Sequence, residues 1–333
     1  MDRMAYTQAV VRIRVLEKRL LTKAQFNLLI EAKDLEEVFR LLDETEYSKS
    51  LSQISRKEDY EEVLGKELKS VYATAKEISP NHEIIDLLAL KYDYHNLKVL
   101  LKEKFLNKDF SHLYAPVGSQ DYQKVKKAYL EGDLRRLHFD FWEAISSAQE
   151  DFLQTMDPQR IDIILDRFYM NHLYEMAEKT GIDMFLEYVK ALIDFTNIRS
   201  ILRLQKMEKD IRFSEDVILP NGNIDKDKIV YSLHDSVDSL IELFRNENIH
   251  KFLIKGLESY QETKRLTDFE KCMDDYLLDV CRKAKSIHFG PEPIFTYIVA
   301  KETEIKNLRI IIVSKLNNIS PEATRERVRD LYA

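Results

Sequence analysis

Residues Lys91 to Phe105, KYDYHNLKVLLKEKF, decide the fold, because the pattern at their centre returns twice along the chain. An acid, two residues, Asn, an aliphatic residue and a base recur as Asp93, Asn96, Leu97, Lys98, then Asp194, Asn197, Ile198, Arg199, then Glu304, Asn307, Leu308, Arg309. The asparagines lie 101 and 110 residues apart, and positions +1, +4 and +5 after each are apolar. Common solenoid units run roughly 20 to 50 residues, so this longer period indicates whole domains copied in tandem.

On a helix of about 100° per residue, with Asn at zero, the acid falls near 60° and the apolar positions at about 40°, 100° and 140°. Acid and Asn therefore belong to the buried stripe or its border, and the base points off it. Polar groups in that position need partners, which makes the acid and Asn of each copy a structural pin that fixes helix register, with contact to a partner as the alternative. A catalytic role would require the carboxylates to converge, and three copies in three domains do not. Further upstream, positions −12, −9 and −8 are also apolar but face another way, so each helix either bends near its Asn or packs on two neighbours.

The rest of the chain points to helices throughout. With 333 residues, two or three domains are expected. Seven Gly, seven Pro and few alternating runs give an all-α reading. A net charge of −7, from 58 acids against 51 bases, speaks against nucleic acid as the main partner and against purely electrostatic attachment to anionic lipid. Cys272 and Cys281 stand nine residues apart in one predicted helix. That is roughly 13 Å, too far for a disulfide, and no cluster of ligands makes them a zinc site. No apolar run reaches the roughly 18 residues needed to span a bilayer and no signal-peptide core opens the chain, so the expectation is a soluble, intracellular protein.

Three further alignments support the repeat. DLEEVFRLLDETEYSKSL from Asp34 has a counterpart at Val237 to Leu253, offset by 202, with Leu35, Val38, Leu41 and Leu42 falling on Val237, Leu240, Leu243 and Phe244. Helix, break, helix recurs as Tyr60 to Leu106 around Pro80, Arg160 to Arg203 around Gly181, and Asp268 to Leu316 around Gly290 and Pro293, each expected to be an antiparallel pair. Turns at Pro116–Gly118 and Pro220–Gly222 then divide the chain into repeats 1–115, 116–219 and 220–333. Ser320 and Pro321 have the chemistry of a helix start near the end. The first stretch carries Arg3, Arg12, Arg14, Lys18, Arg19 and Lys23 against Asp2 and Glu17. It is either a solvated face or a docking face for an acidic partner.

Nothing resembles an active site. There is no GxxxxGK[ST], GxGxxG, GxSxG or HExxH, and the eight histidines are scattered. Asn221, Asn223, Asp225 and Asp227 look faintly like a calcium loop, but the Gly is misplaced and no Glu closes it, so they read as a plain loop. No catalytic, cofactor or metal residue is expected.

The three motifs, together with AYTQAVVRIR from Ala5, LPNGNID from Leu219 and SPEATRERV from Ser320, closely resemble the C subunit of the archaeal and bacterial A-type and V-type rotary ATPases, the counterpart of the eukaryotic d subunit. The likeness covers essentially the whole chain, and Glu304 in place of Asp is its one departure within the motif. It implies three similar helical bundles arranged as a funnel with pseudo-threefold symmetry, and a non-catalytic central-stalk part. Its implied partners are the D and F shaft subunits and the membrane proteolipid (c/K) ring. It also implies one copy per complex, on the cytoplasmic side and peripheral to the membrane, coupling ATP hydrolysis or synthesis to proton or sodium transport. Tyr6, Arg12 and Arg14, in the family's opening stretch, and the loops between helices, including Gly290 to Pro293, are the candidates for partner contact. The alternative class is a cytosolic helical scaffold or adaptor, which would not travel with ring and shaft proteins.

Overall fold

The computed structural model describes residues 2–52, 59–208, 210–247 and 249–332, and among these every regular element is a helix. The chain divides into two compact units, Met1–His82 with Asp235–Ala333, and Glu83–His234.

The first unit begins with α1 (Thr7–Glu17), α2 (Lys23–Glu31), α3 (Leu35–Leu42), α4 (Ser48–Leu51) and α5 (Tyr60–Ile78). The second holds α6 (Glu83–Leu106), α7 (Tyr122–Leu130), α8 (Phe139–Thr155), α9 (Pro158–Thr180), α10 (Asp183–Lys206), α11 (Ile211–Val217) and α12 (Lys226–Tyr231). The first unit is completed by α13 (Val237–Leu243), α14 (His250–Thr263), α15 (Leu266–Arg282), α16 (Glu292–Leu316) and α17 (Pro321–Arg327).

Local chemistry sets the ends. Thr22 and Gln25 form a reciprocal capping box at α2. Asp157 caps α9 with Pro158 at the first helical position, and Gly181, at φ +66°, stops it, so that α10 starts two residues later and folds back on α9. Ser320 accepts from Ala323 N to start α17.

The three long motif helices, α6, α10 and α16, run unbroken through their asparagines. Between bending and packing on several neighbours, packing is what occurs. Seventeen of the 25 residues of α16 are buried, against α1, α3, α5, α15 and α17. Ile84, Leu87, Phe185, Val189, Phe295 and Ile298, all upstream of the motif, are at most 1% exposed. Each such side chain contributes roughly 1.5–3 kcal/mol of burial.

Antiparallel pairing holds for α9 with α10 and for α15 with α16, and the helices of the first expected pair, α5 and α6, belong to different units. In its own unit α5 lies on α16, and in the other α6 lies on α9. The second long helix of repeat 1 thus packs on the first long helix of repeat 2, and that of repeat 3 on the first of repeat 1. Short-range spacing cannot reveal this, because the same apolar stripe serves either neighbour.

Candidate functional site

At all three motifs the Asn side chain closes a two-point clasp on one peptide of the segment that follows its helix. Asn96 Oδ1 accepts from Ala115 N at 2.8 Å while its Nδ2 donates to Ala115 O at 3.3 Å. Asn197 does the same to Leu219, at 2.8 and 2.9 Å, and Asn307 to Arg329, at 2.8 and 3.1 Å. An amide is the one side-chain group that offers donor and acceptor side by side, matching the N–H and C=O of a single residue. The asparagines are 5%, 1% and 0% exposed, so water does not compete for these bonds.

The acid one turn earlier takes the next amides. Asp93 accepts from Ser119 N (2.9 Å) and Gln120 N (3.2 Å), and Asp194 from Asn223 N, Asn223 Nδ2 and Ile224 N, all at 3.0 Å. Gly118 and Gly222 precede these amides. A Cβ on either would collide with the Asp carboxylate oxygen, so the close approach requires glycine there. Burial pushes the Asp93 carboxyl up to about 6 against the pull of the Ser119 and Gln120 bonds, with Asp86 adding like charge.

Glu304 lies 3% exposed and takes Leu21 N at 2.6 Å, the Tyr47 hydroxyl at 2.9 Å and Lys301 Nζ at 2.8 Å. Lys301 also meets Glu67 at 2.8 Å and lies over the Tyr47 ring, 4.7 Å from its centre. Burial lowers the Lys301 pKa, but Glu304 and Glu67 outweigh it and hold the ammonium above its usual range. The Tyr47 hydroxyl is held neutral by burial and by both glutamates. Lys301 and Glu304, three apart in an apolar stretch, are the sequence trace of this cluster; Glu67 and Tyr47 leave none.

The motif bases act between helices. Lys98 reaches Asp166 at 2.5 Å and Lys102 reaches Asp162 at 2.7 Å, tying α6 to α9. Arg309 grips Glu61 with two bonds, at 2.7 and 2.9 Å, tying α16 to α5. Arg199 lines a cavity of about 220 Å³ with Asp162, Asp166 and Arg203.

Of the three N-terminal residues, Tyr6 is buried at 2% exposure. Arg14 is bound to Glu17 and, through Nη2, to the carbonyls of Ala284 (2.7 Å) and Ile287 (2.9 Å), capping the turn after α15. Arg12 keeps an exposed side chain, paired with Glu77 at 2.9 Å. In the segment with calcium-loop character, Asn223 serves the Asp194 clasp and Asp225 caps α12.

Among the described residues no group of three or more His, Cys, Asp or Glu is placed to hold a metal ion, and no helix is long and apolar enough to cross a membrane. Cys272 and Cys281 are free thiols, and burial raises the pKa of both. A third polar cluster, which the scattered histidines do not reveal, joins His138 and His172 through Asp140 at 2.9 and 3.3 Å, with the Tyr94 hydroxyl 3.4 Å from His172 Nδ1. Burial lowers the His172 pKa, Asp140 opposes this and His138 adds to it.

Residues 9–327 match the family model described as ATP synthase (C/AC39) subunit, and the match takes in all three clasping helices. The chain belongs to that family. Among C/AC39 relatives, the C subunit of the V-type sodium ATPase of Enterococcus hirae is 29% identical over 99% of both chains. The C subunit of the A-type ATP synthase of Methanocaldococcus jannaschii is 27% identical over 97% of this chain and 86% of its own. That of Thermococcus kodakarensis is 24% identical over 98% and 91%. The chain is therefore a rotary-ATPase subunit, and its motif helices are those of a C/AC39 protein.

Proposed function

We propose that this chain is the central-stalk subunit of its rotary ATPase, a non-catalytic rotor part joining the D and F shaft to the membrane proteolipid (c/K) ring. Its three repeats, 1–115, 116–219 and 220–333, are similar bundles set as a funnel with pseudo-threefold symmetry. One copy per complex sits on the cytoplasmic side, held at the membrane by protein contacts. There it passes torque between the ATP-hydrolysing head and the ring, for proton or sodium transport or for ATP synthesis.

The observation that carries this reading is the match to the C/AC39 family along nearly the whole chain. The mechanics agree with it. A part that transmits torque does no bond chemistry but must resist shear between helices. Asn96, Asn197 and Asn307 each lock a long helix to the segment that follows it with two hydrogen bonds. Each motif base that bridges helices, Lys98 or Arg309, then fixes the rotation of one repeat's second helix on the next repeat's first. The exposed side of α1 around Arg12 is a partner contact.

Removing the chain from the complex tests the proposal. Membranes lacking it should release a head that still hydrolyses ATP in solution, and adding the chain back should restore attachment and ion transport coupled to ATP. A head that stays bound and coupled without the chain overturns the proposal. So does failure of the chain to co-purify with ring and shaft proteins.

A further inference from the structure

The third clasp draws its second half from the opposite end of the chain. Asp93 and Asp194 bind amides 26 and 29 residues further on, whereas Glu304 binds the Leu21 amide, 283 residues back. The segment clasped by Asn307 is at Arg329, on the other side of the motif helix from Leu21 in the sequence. The offset of 202 that aligns Leu35 with Val237 also sets Leu21 opposite Asn223 and Leu20 opposite Gly222. The bonded amide of the third clasp is thus the repeat-equivalent residue, found at the N-terminus. A helix follows each of these amides within three residues: α7 after Ser119, α12 after Asn223 and α2 after Leu21.

The departure of Glu304 from Asp follows from the same alignment. Where glycine precedes the amide, the carboxylate sits where a Cβ would be, and the short Asp side chain suffices. Leu20 carries a Cβ and a buried side chain at 5% exposure, so the carboxylate must approach from further off, and the extra methylene of Glu spans the difference.

We propose that the repeat is circularly closed. The segment from Leu20 completes repeat 3 as the turns after Pro116 and Pro220 complete repeats 1 and 2, and Glu304 with Leu20 is a matched substitute for Asp with Gly. At the junction of repeat 3 to repeat 1 the buried carboxylate then makes the tie that the peptide chain makes at the other two, beside the packing of α16 on α1, α3 and α5. It is the repeat junction with no peptide link across it, a non-covalent seam inside the first unit.

Thermal unfolding of full-length variants tests the match. E304D and L20G should each lower the melting temperature, and E304D/L20G should lose clearly less than the two losses added together. In the second clasp, G222A should be damaging and D194E should recover part of that loss. Strict additivity in both pairs overturns the match. Hydrogen exchange in E304Q, which keeps the side-chain shape, reads the seam directly and covers the case in which a shorter variant does not fold. The Leu21 amide should exchange on the order of 10- to 100-fold faster, as for loss of a bond to a charged group, while the Arg329 amide, held by Asn307, stays protected. Unchanged exchange at Leu21, or equal loss at Leu21 and Arg329, overturns the seam.

Discussion

The junction of α6 with α9 and that of α16 with α5 are built from equivalent helices of the repeat, yet their interiors are chemically opposite. Between α6 and α9 lies an aromatic cluster, with Tyr94 5.5 Å from Phe141 of α8, 5.7 Å from Tyr169 and 6.1 Å from His172. Between α16 and α5 lies an ionic one, Lys301 bound by Glu67 and Glu304, all at most 9% exposed. At the margin both keep the same device, a motif base on an acid of the neighbouring helix. The lesson is that helix register is carried by the margin and the Asn clasps, and the interior is free to differ. The two interiors then fail differently. An aromatic cluster loses area gradually, whereas a buried ion pair depends on every member being present.

Removing Lys301 should therefore have the largest effect. K301M leaves Glu67 and Glu304 buried without their cation, and breaking a buried pair in this way costs about 3–5 kcal/mol. Tyr94→Phe at the other junction keeps the ring contacts and gives up only a long hydroxyl contact, so it should cost less than about 1 kcal/mol. Urea unfolding of the two variants measures the contrast. Equal losses would mean that the Lys301 cluster is no more interdependent than the aromatic one.

The asparagine clasps come next and should be alike in α10 and α16. N197A strands the Leu219 amide and carbonyl in a dry site, and N307A strands those of Arg329. At about 1–3 kcal/mol for each buried group left unsatisfied, with partial relaxation, either should lose roughly 2–4 kcal/mol. Substitution by Asp keeps the acceptor but faces the carbonyl with a second oxygen, so it should not rescue. A tolerated N197D would show that the amide's donor is dispensable and that the clasp is a single bond.

How much of this can be read in the sequence differs between the two halves of each clasp. Asp93, Asn96 and their copies stand out because a polar pair at fixed spacing interrupts an apolar stripe three times. Their partners do not. Asn96 binds the backbone of Ala115, and a backbone group has no residue identity to detect. Glu304 is visible as a departure, but its reason lies at Leu20 and Leu21, which only folding brings near. The all-helical architecture follows from the scarcity of Gly and Pro. That α5 meets α16 is invisible, because apolar stripes of equal width do not say which partner they meet. The family likeness is legible from several motifs in order, since these are local strings and need no tertiary knowledge.

Acidity should separate the junctions more gently. The folded-state pKa of Asp93 is raised to about 6, above the unfolded carboxyl value of roughly 3.9. The folded form thus binds the proton more tightly, and this group's contribution is complete below about pH 4 and lost as pH rises through 6. Between pH 7 and pH 5 it adds about 1 kcal/mol of stability. The gap in stability between wild type and D93N should widen by that amount as the pH falls, whereas the gap for K301M should not track this window. A D93N gap that narrows on acidification would mean that the amide bonds to Asp93, and not its burial, dominate.

The smallest effects belong to the marginal bases that the two junctions share. Lys98 and Asp166 have side chains 22% and 52% exposed, and Arg309 and Glu61 45% and 52%. Pairs this wet are screened by salt and water, so K98A and R309A should each cost no more than about 1 kcal/mol, with Arg309 nearer the upper end because its bond to Glu61 is double. Their value lies in discrimination. The charge reversals K98E and R309E set like charges against each other only when the helices meet in the native register, and they should cost more than the alanine variants. Restoring attraction with K98E/D166K and R309E/E61R should recover most of the difference in urea unfolding. If the reversals cost no more than alanine, the margins do not set register, and the asparagine clasps alone keep two such different interiors in the same helical frame.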